Sequence, residues 1–256
     1  MSHIHSIDHD HGIRELHLAR KPVNALNPAL CVELEQAIAA AVADGIHGLV
    51  LSGGPSVFSA GLDVPYLLSL DNDLSGLTDA WEAFFDAARA LAASPIPVAA
   101  AIAGHAPAGG CVLALCCDYR IMPHGPYRIG LNETQVGLVV PDGVQHLMRR
   151  VVGPHRAERL LVSGEMVESQ RALDIGLVDA LTDIDDVPRR ARVWLEQLLK
   201  LPRQPVLDTR QLARADLIAA LQPERIDLQR FINAWKDPDT QAGLQSLLAK
   251  IGKAPS

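Results

Sequence analysis

Apolar residues along the chain fall into two kinds of run. Short unbroken ones, Gly48-Leu-Val-Leu-Ser52, Val98-Ala-Ala-Ala-Ile-Ala103 and Tyr119-Arg-Ile-Met122, have the length and composition of strands. Longer ones repeat every three to four residues and predict helices with one buried face. One runs from Asn27, a cap followed by Pro28 at the first helical position, to Gly45. Another runs from Thr78 through Trp81, Phe84, Phe85 and Ala88 to Leu91, and Cys111–Cys117 reads as a buried helix. After Pro154 helical patterns dominate: Arg156–Val162, Ser169–Ile175, Val187–Leu199, Thr209–Leu221 and Pro223–Ile251, the last broken near Asp237-Pro238. Strands alternating with helices predict an α/β layered fold. The expected organisation is one domain over residues 1–195, then a helical region over 196–256 that either covers a site or packs on a neighbouring subunit.

Two glycine turns interrupt this pattern, Phe58-Ser-Ala-Gly-Leu-Asp63 and Pro107-Ala-Gly-Gly-Cys111. The second lies between a strand and a helix, where unpaired N–H groups and the helix dipole favour negative charge and glycine lets an oxygen approach. Each has a simpler reading: Gly109-Gly110 as a tight strand-to-helix turn, and Asp63 as the anchor of its own loop or the cap of a short helix. Between Ile129 and Pro141 a single carboxylate, Glu133, interrupts an otherwise uncharged stretch. A base facing two amide donors suits enolate chemistry; the simpler reading of Glu133 alone is a surface or capping residue.

Composition narrows the classes. With 256 residues, 48% hydrophobic and 21% charged, the chain can bury a substantial core. A net charge of −7 supplies no global basic field for nucleic acid, and a polyanionic ligand needs local positive groups. The apolar runs are far shorter than the ~20 residues that span a bilayer, and the opening residues have neither secretory nor transit character. A cytoplasmic protein is expected. Cys31, Cys111, Cys116 and Cys117 lack metal-ligand spacing and read as buried reduced thiols. His3, His5, His9 and His11 lack a Cys or carboxylate cluster, so a solvated terminal segment is expected in place of a metal site. His105 and His146 read as hydrogen-bonded structural histidines.

Ser59-Ala-Gly-Leu-Asp63, Pro107-Ala-Gly-Gly-Cys111 continuing to Cys117-Asp-Tyr-Arg-Ile-Met122, and Ile129-Gly-Leu-Asn-Glu133 together resemble the crotonase, or enoyl-CoA hydratase/isomerase, superfamily. The resemblance extends over about Arg14 to Lys253 and is greatest to its 3,2-trans-enoyl-CoA isomerases. It implies a crotonase-like ββα spiral core with a C-terminal helical region. It puts oxyanion-hole amides at Leu62 and Gly109 and the carboxylate base at Glu133. Ala60, Gly61, Asp63 and Val64 match the loop along the acyl-CoA, Asn132 precedes the base, and the segment containing Lys21, Val23 and Ala25 resembles the region near the adenine end of CoA. Phe231 borders the ligand or belongs to a core stripe with Trp235. The resemblance further implies an acyl-CoA thioester substrate, no cofactor beyond its CoA, no metal, and a homotrimer or dimer of trimers.

Hydratases of this family have a second glutamate where this chain has Val112. One carboxylate that moves a proton fits an isomerase better than two-acid activation of water. Asp142 is an alternative second acid, or a loop residue capping the helix that begins near Gly143. The competing functions are a hydratase, a ring-type isomerase using Asp142, and a non-catalytic acyl-CoA-binding or RNA-binding scaffold.

Overall fold

The computed structural model describes residues 2–70 and 72–251. Its strands are β1 (Ile4–His9), β2 (Ile13–Leu18), β3 (Gly48–Ser52), β4 (Val98–Ala101), β5 (Ala106–Pro107), β6 (Tyr119–Pro123), β7 (Arg128–Gly130), β8 (Val167–Glu168) and β9 (Ala180–Thr182). Six of them form one sheet in the order β1-β2-β3-β4-β6-β9, parallel except for the β1–β2 hairpin, while β5, β7 and β8 form a small second sheet. Every residue of β3 and β4 is buried. Their unbroken apolar sequences follow from that position, because helices cover both faces of a parallel sheet.

The helices are α1 (Pro28–Ala43), α2 (Val64–Ser69), α3 (Leu74–Ala92), α4 (Gly109–Leu115), α5 (Asp142–Val152), α6 (Pro154–Ser163), α7 (Ser169–Asp174) and α8 (Val187–Leu199), followed by α9 (Arg203–Ala213), α10 (Ala215–Ala220), α11 (Pro223–Ile226), α12 (Leu228–Trp235) and α13 (Pro238–Ile251). Asn27 caps α1 by accepting the Leu30 N–H at 3.0 Å, with Pro28 in the first turn, as the sequence predicts. Leu49, Leu51, Val98 and Ala100 join the large core with α1 and α3, whereas Val50, Ala99 and Ala101 face Ala191 and Leu195 of α8. The boundary expected at residues 195/196 therefore falls within a helix packed on the sheet. Residues 252–256 of the expected helical region lie outside the described residues, as does Lys253 at the end of the resemblance.

Three expectations change. The histidine-rich start is an ordered edge strand, β1, although Ile4 is its one buried residue and most of its side chains remain exposed. The helix expected over Thr209–Leu221 is two helices, α9 and α10, meeting at Arg214. Asp142 opens α5 without capping it: Pro141 holds the cap position with no side-chain hydrogen bond. The Asp142 carboxylate instead accepts from Arg225 at 2.6 and 3.0 Å and from Arg149 at 3.3 Å.

One acid ties α9 and its junction with α10 to the core. Asp118, just after α4, accepts from Arg210 at 2.8 and 2.9 Å and from Arg214 at 2.9 Å, and also holds the Val98 N–H at 2.8 Å. No described helix is long and apolar enough to cross a membrane. All four cysteines are free and buried, and burial raises their pKa values, keeping them as thiols.

Candidate active site

The loop 58–63 is stitched between two neighbours. Ala60 N–H donates to Val23 O (2.9 Å), Leu26 N–H to Gly61 O (2.8 Å), and Asp63 N–H to Leu26 O (3.0 Å), while Phe58 N–H donates to His105 O (2.9 Å). This alternation leaves the Leu62 N–H without an acceptor among the described residues. Asp63 caps α2 through the Tyr66 N–H at 3.0 Å and pairs with Arg20 at 2.5 Å, so its carboxylate is committed to the loop.

Gly109 opens α4, and its N–H has no acceptor among the described residues either. A β-carbon on Gly61, whose φ is +81°, would lie 3.0 Å from the Gly109 nitrogen, so the two loops approach closely only with glycine there. Ala108, between Pro107 and Gly109, has φ 46° and ψ −119°, a conformation that costs a side-chain-bearing residue about 1–3 kcal/mol. Its N–H donates to Gly130 O at 2.9 Å, which holds the turn.

Glu133 begins a 3-10 turn, Glu133–Val136, that ends in left-handed Gly137. The next residues pin it from outside: Thr134 Oγ1 donates to Leu161 O (3.2 Å), Gln135 Nε2 to Gly164 O (2.8 Å), and Thr240 Oγ1 of α13 to Gly137 O (2.8 Å). With its neighbours anchored outward, Glu133 lines an interior cavity of about 530 Å³. Its Oε2 is enclosed with no partner among the described residues, and burial raises its pKa from the ordinary 4.5 to about 7.

That cavity brings together Lys21, Val23, Ala25, Ala60, Leu62, Asp63, Val64, Gly109, Asn132, Glu133 and Phe231. Gly61 does not line it but sits behind Leu62 against Gly109. Asp142 is outside it, exposed, and its arginine partners lower its pKa. Of the two carboxylates that line the cavity among the described residues, Asp63 caps α2 and is ion-paired, and Glu133 does neither; Val112 lines it as well. Among the described residues no group of three or more His, Cys, Asp or Glu could hold a metal. His105 accepts from the Arg128 N–H at 3.1 Å and His146 lies 3.2 Å from Asp216, both structural contacts.

Sequence reasoning missed most of the apolar wall. Trp81, Phe84 and Phe85 of α3 line the cavity, with Val136, Leu138 and Val144, and Trp235, Leu244 and Leu247 from the C-terminal helices. Trp81 and Phe231 pack in a tilted pair with 4.2 Å between centroids. The aromatic stripe on α3 was the available signal, but a helical stripe looks the same whether it faces core or ligand.

The family model for enoyl-CoA hydratase/isomerase matches residues 8–251. The chain is 32% identical to mouse mitochondrial enoyl-CoA delta isomerase 1, over 94% of this chain and 84% of that one. It is 33% identical to the probable enoyl-CoA hydratase echA17 of Mycolicibacterium paratuberculosis, over 86% and 87% respectively. The crystal structure of human mitochondrial delta3-delta2-enoyl-CoA isomerase superposes with a TM-score of 0.93 at 28% identity, covering 100% of both chains. Relatives of both names thus match at similar identity.

Proposed function

The chain belongs to the enoyl-CoA hydratase/isomerase family, of the crotonase fold, and on that premise we propose that it is an enoyl-CoA isomerase converting 3-enoyl-CoA to trans-2-enoyl-CoA. One observation carries the choice over hydration: among the described residues Glu133 is the one carboxylate lining the cavity without an ion pair, with Val112 where the resemblance puts a hydratase's second acid. Adding water requires activating the nucleophile and protonating carbon, whereas moving a double bond needs one group that takes a proton and returns it.

The thioester oxygen accepts from the Leu62 and Gly109 N–H groups, where charge accumulates as the C2–H bond breaks. Glu133 takes the C2 proton, and the electron pair delocalises through the C3=C4 bond and the carbonyl as a dienolate. The same carboxyl then protonates C4, leaving the double bond at C2=C3 and Glu133 ionised again. A base near pKa 7 suits this alternation, because the raised pKa narrows the gap to the weakly acidic C2–H while the protonated form can still return its proton. The reaction uses no cofactor besides the CoA of the substrate. A trimer or dimer of trimers is the proposed assembly, and fatty acid degradation the proposed setting.

The test is conversion of 3-enoyl-CoA, followed by the absorbance of the conjugated thioester. Turnover by wild type and its loss in Glu133→Gln are expected. Water addition to 2-enoyl-CoA without isomerisation would establish the hydratase reading instead, and CoA-ester binding without either turnover would establish the scaffold.

A further inference from the structure

We propose that Phe231 sets the length limit of the acyl tail, by separating the cavity that holds Glu133 from a second chamber that longer tails would otherwise enter. The inference rests on the acyl-CoA reading above. The second chamber, about 290 Å³, opens beside the first, and among the described residues Phe231 and Pro141 are the two that line both. They form the common wall. Pro141 is the backbone cap of α5. The aromatic ring is therefore the part of the wall that a side-chain change removes.

The ring is held in place from several directions. Trp81 packs against it in a tilted arrangement with ring centroids 4.2 Å apart, and Phe231 itself is buried. Its helix, α12, starts at Asp227, which has a left-handed φ of 48° and caps the helix by accepting the Arg230 N–H at 3.3 Å. The preceding α11 is fastened to α5 by the Arg225–Asp142 pair. These contacts define where the ring stands in the wall. Beyond it, Val139, Val140 and Ile226 give the chamber an apolar side, while Asp142, Gln145, Glu224, Arg225, Asp227 and Arg230 give it a larger polar one. Methylene groups extending past the ring would meet the first three.

Each methylene transferred from water to an apolar wall tightens binding about four-fold. Dissociation constants of saturated acyl-CoAs, from butanoyl to octadecanoyl, read the length at which that gain stops, and they require no turnover. Wild type is expected to stop gaining once the tail reaches Phe231. Phe231→Ala should continue for at least two further methylenes, so that the first ester beyond the wild-type limit by that length binds about ten-fold or more tighter than to wild type. Phe231→Leu keeps an apolar side chain in the aromatic cluster and should shift the limit in the same direction even if the alanine variant does not fold. Adding Val139→Phe to Phe231→Leu should return the limit toward wild type by filling the chamber, which a general loosening of the fold would not do. A limit that stays in place in the folded variants, or a wild type that gains without limit, overturns the partition alone. Absence of affinity for every acyl-CoA overturns instead the acyl-CoA reading on which it rests.

Discussion

Glu133→Gln separates electrostatics from packing, because it keeps the shape of the side chain and removes its charge. In the folded protein the carboxyl has a pKa of about 7 against an ordinary 4.5, with burial as the cause. Between those values the folded state binds more protons at this site than the unfolded state does. The stability contributed by the protonated carboxyl is thus present at low pH and lost as pH rises through about 7. The whole difference corresponds to about 3 kcal/mol, of which about 2.5 kcal/mol is lost between about pH 5 and pH 8.5. Glutamine does not titrate, so the cost of enclosing its amide is the same at both pH values and cancels when they are compared.

Urea unfolding of both proteins at the two pH values should show the glutamine variant gaining about 2.5 kcal/mol relative to wild type at the higher one. The kcat/KM of wild type should rise with pH through about 7 and then level, since the free enzyme must present the ionised base. Parallel stability profiles for the two proteins, or an inflection near 4.5, would refute a buried, uncompensated carboxylate.

Two further perturbations address the scaffold. Asp118→Asn leaves Arg210 and Arg214 without their carboxylate and should cost about 3 kcal/mol or more, read by urea unfolding, because breaking a buried pair strands charge; a loss below about 1 kcal/mol counts against the clamp. Gly243→Ala places a β-carbon 2.9 Å from the Val136 carbonyl oxygen and 3.0 Å from its carbonyl carbon, so α13 presses on the backbone of the Glu133 turn. A shift of that turn should lower kcat about ten-fold or more with a smaller change in KM, since misplacing a reacting group by about 1 Å costs up to ~10² in rate. Unchanged kcat in the folded variant would show that α13 does not position the base.

What the sequence revealed depended on where each element's constraints lie. The strands β3 and β4 were legible because burial on both faces leaves no polar position to confuse the reading. Its neighbour β2, Ile13-Arg-Glu-Leu-His-Leu18, was not. Glu15 is buried there because Ser52 Oγ donates to it at 2.6 Å, with His9 at 3.1 Å and Arg192 at 3.4 Å, partners up to 177 residues away. The break at Arg214 was hidden similarly: that arginine is buried to reach Asp118, 96 positions earlier. β5, β7 and β8 are two or three residues long and carry no periodicity to detect.

The candidate site divides along the same line. Its two donors come from loops whose close approach fails once a β-carbon appears at Gly61, and Gly110 likewise would place one 2.5 Å from Ser59 O. Such constraints are local and admit few residue types, so they leave a readable motif. The wall around the acyl end obeys no comparable restriction. Any set of apolar side chains of suitable total volume from α3, α5, α12 and α13 could enclose the same space, with interchange among similar volumes costing less than about 1.5 kcal/mol. The proposed chemistry is therefore written in glycines and one acid near positions 60, 109 and 133, while the proposed selectivity for the tail is distributed over residues that sequence reading assigns to the core. Phe231 belongs to that second group, and the role proposed for it emerges only from the helices that bring it between two chambers.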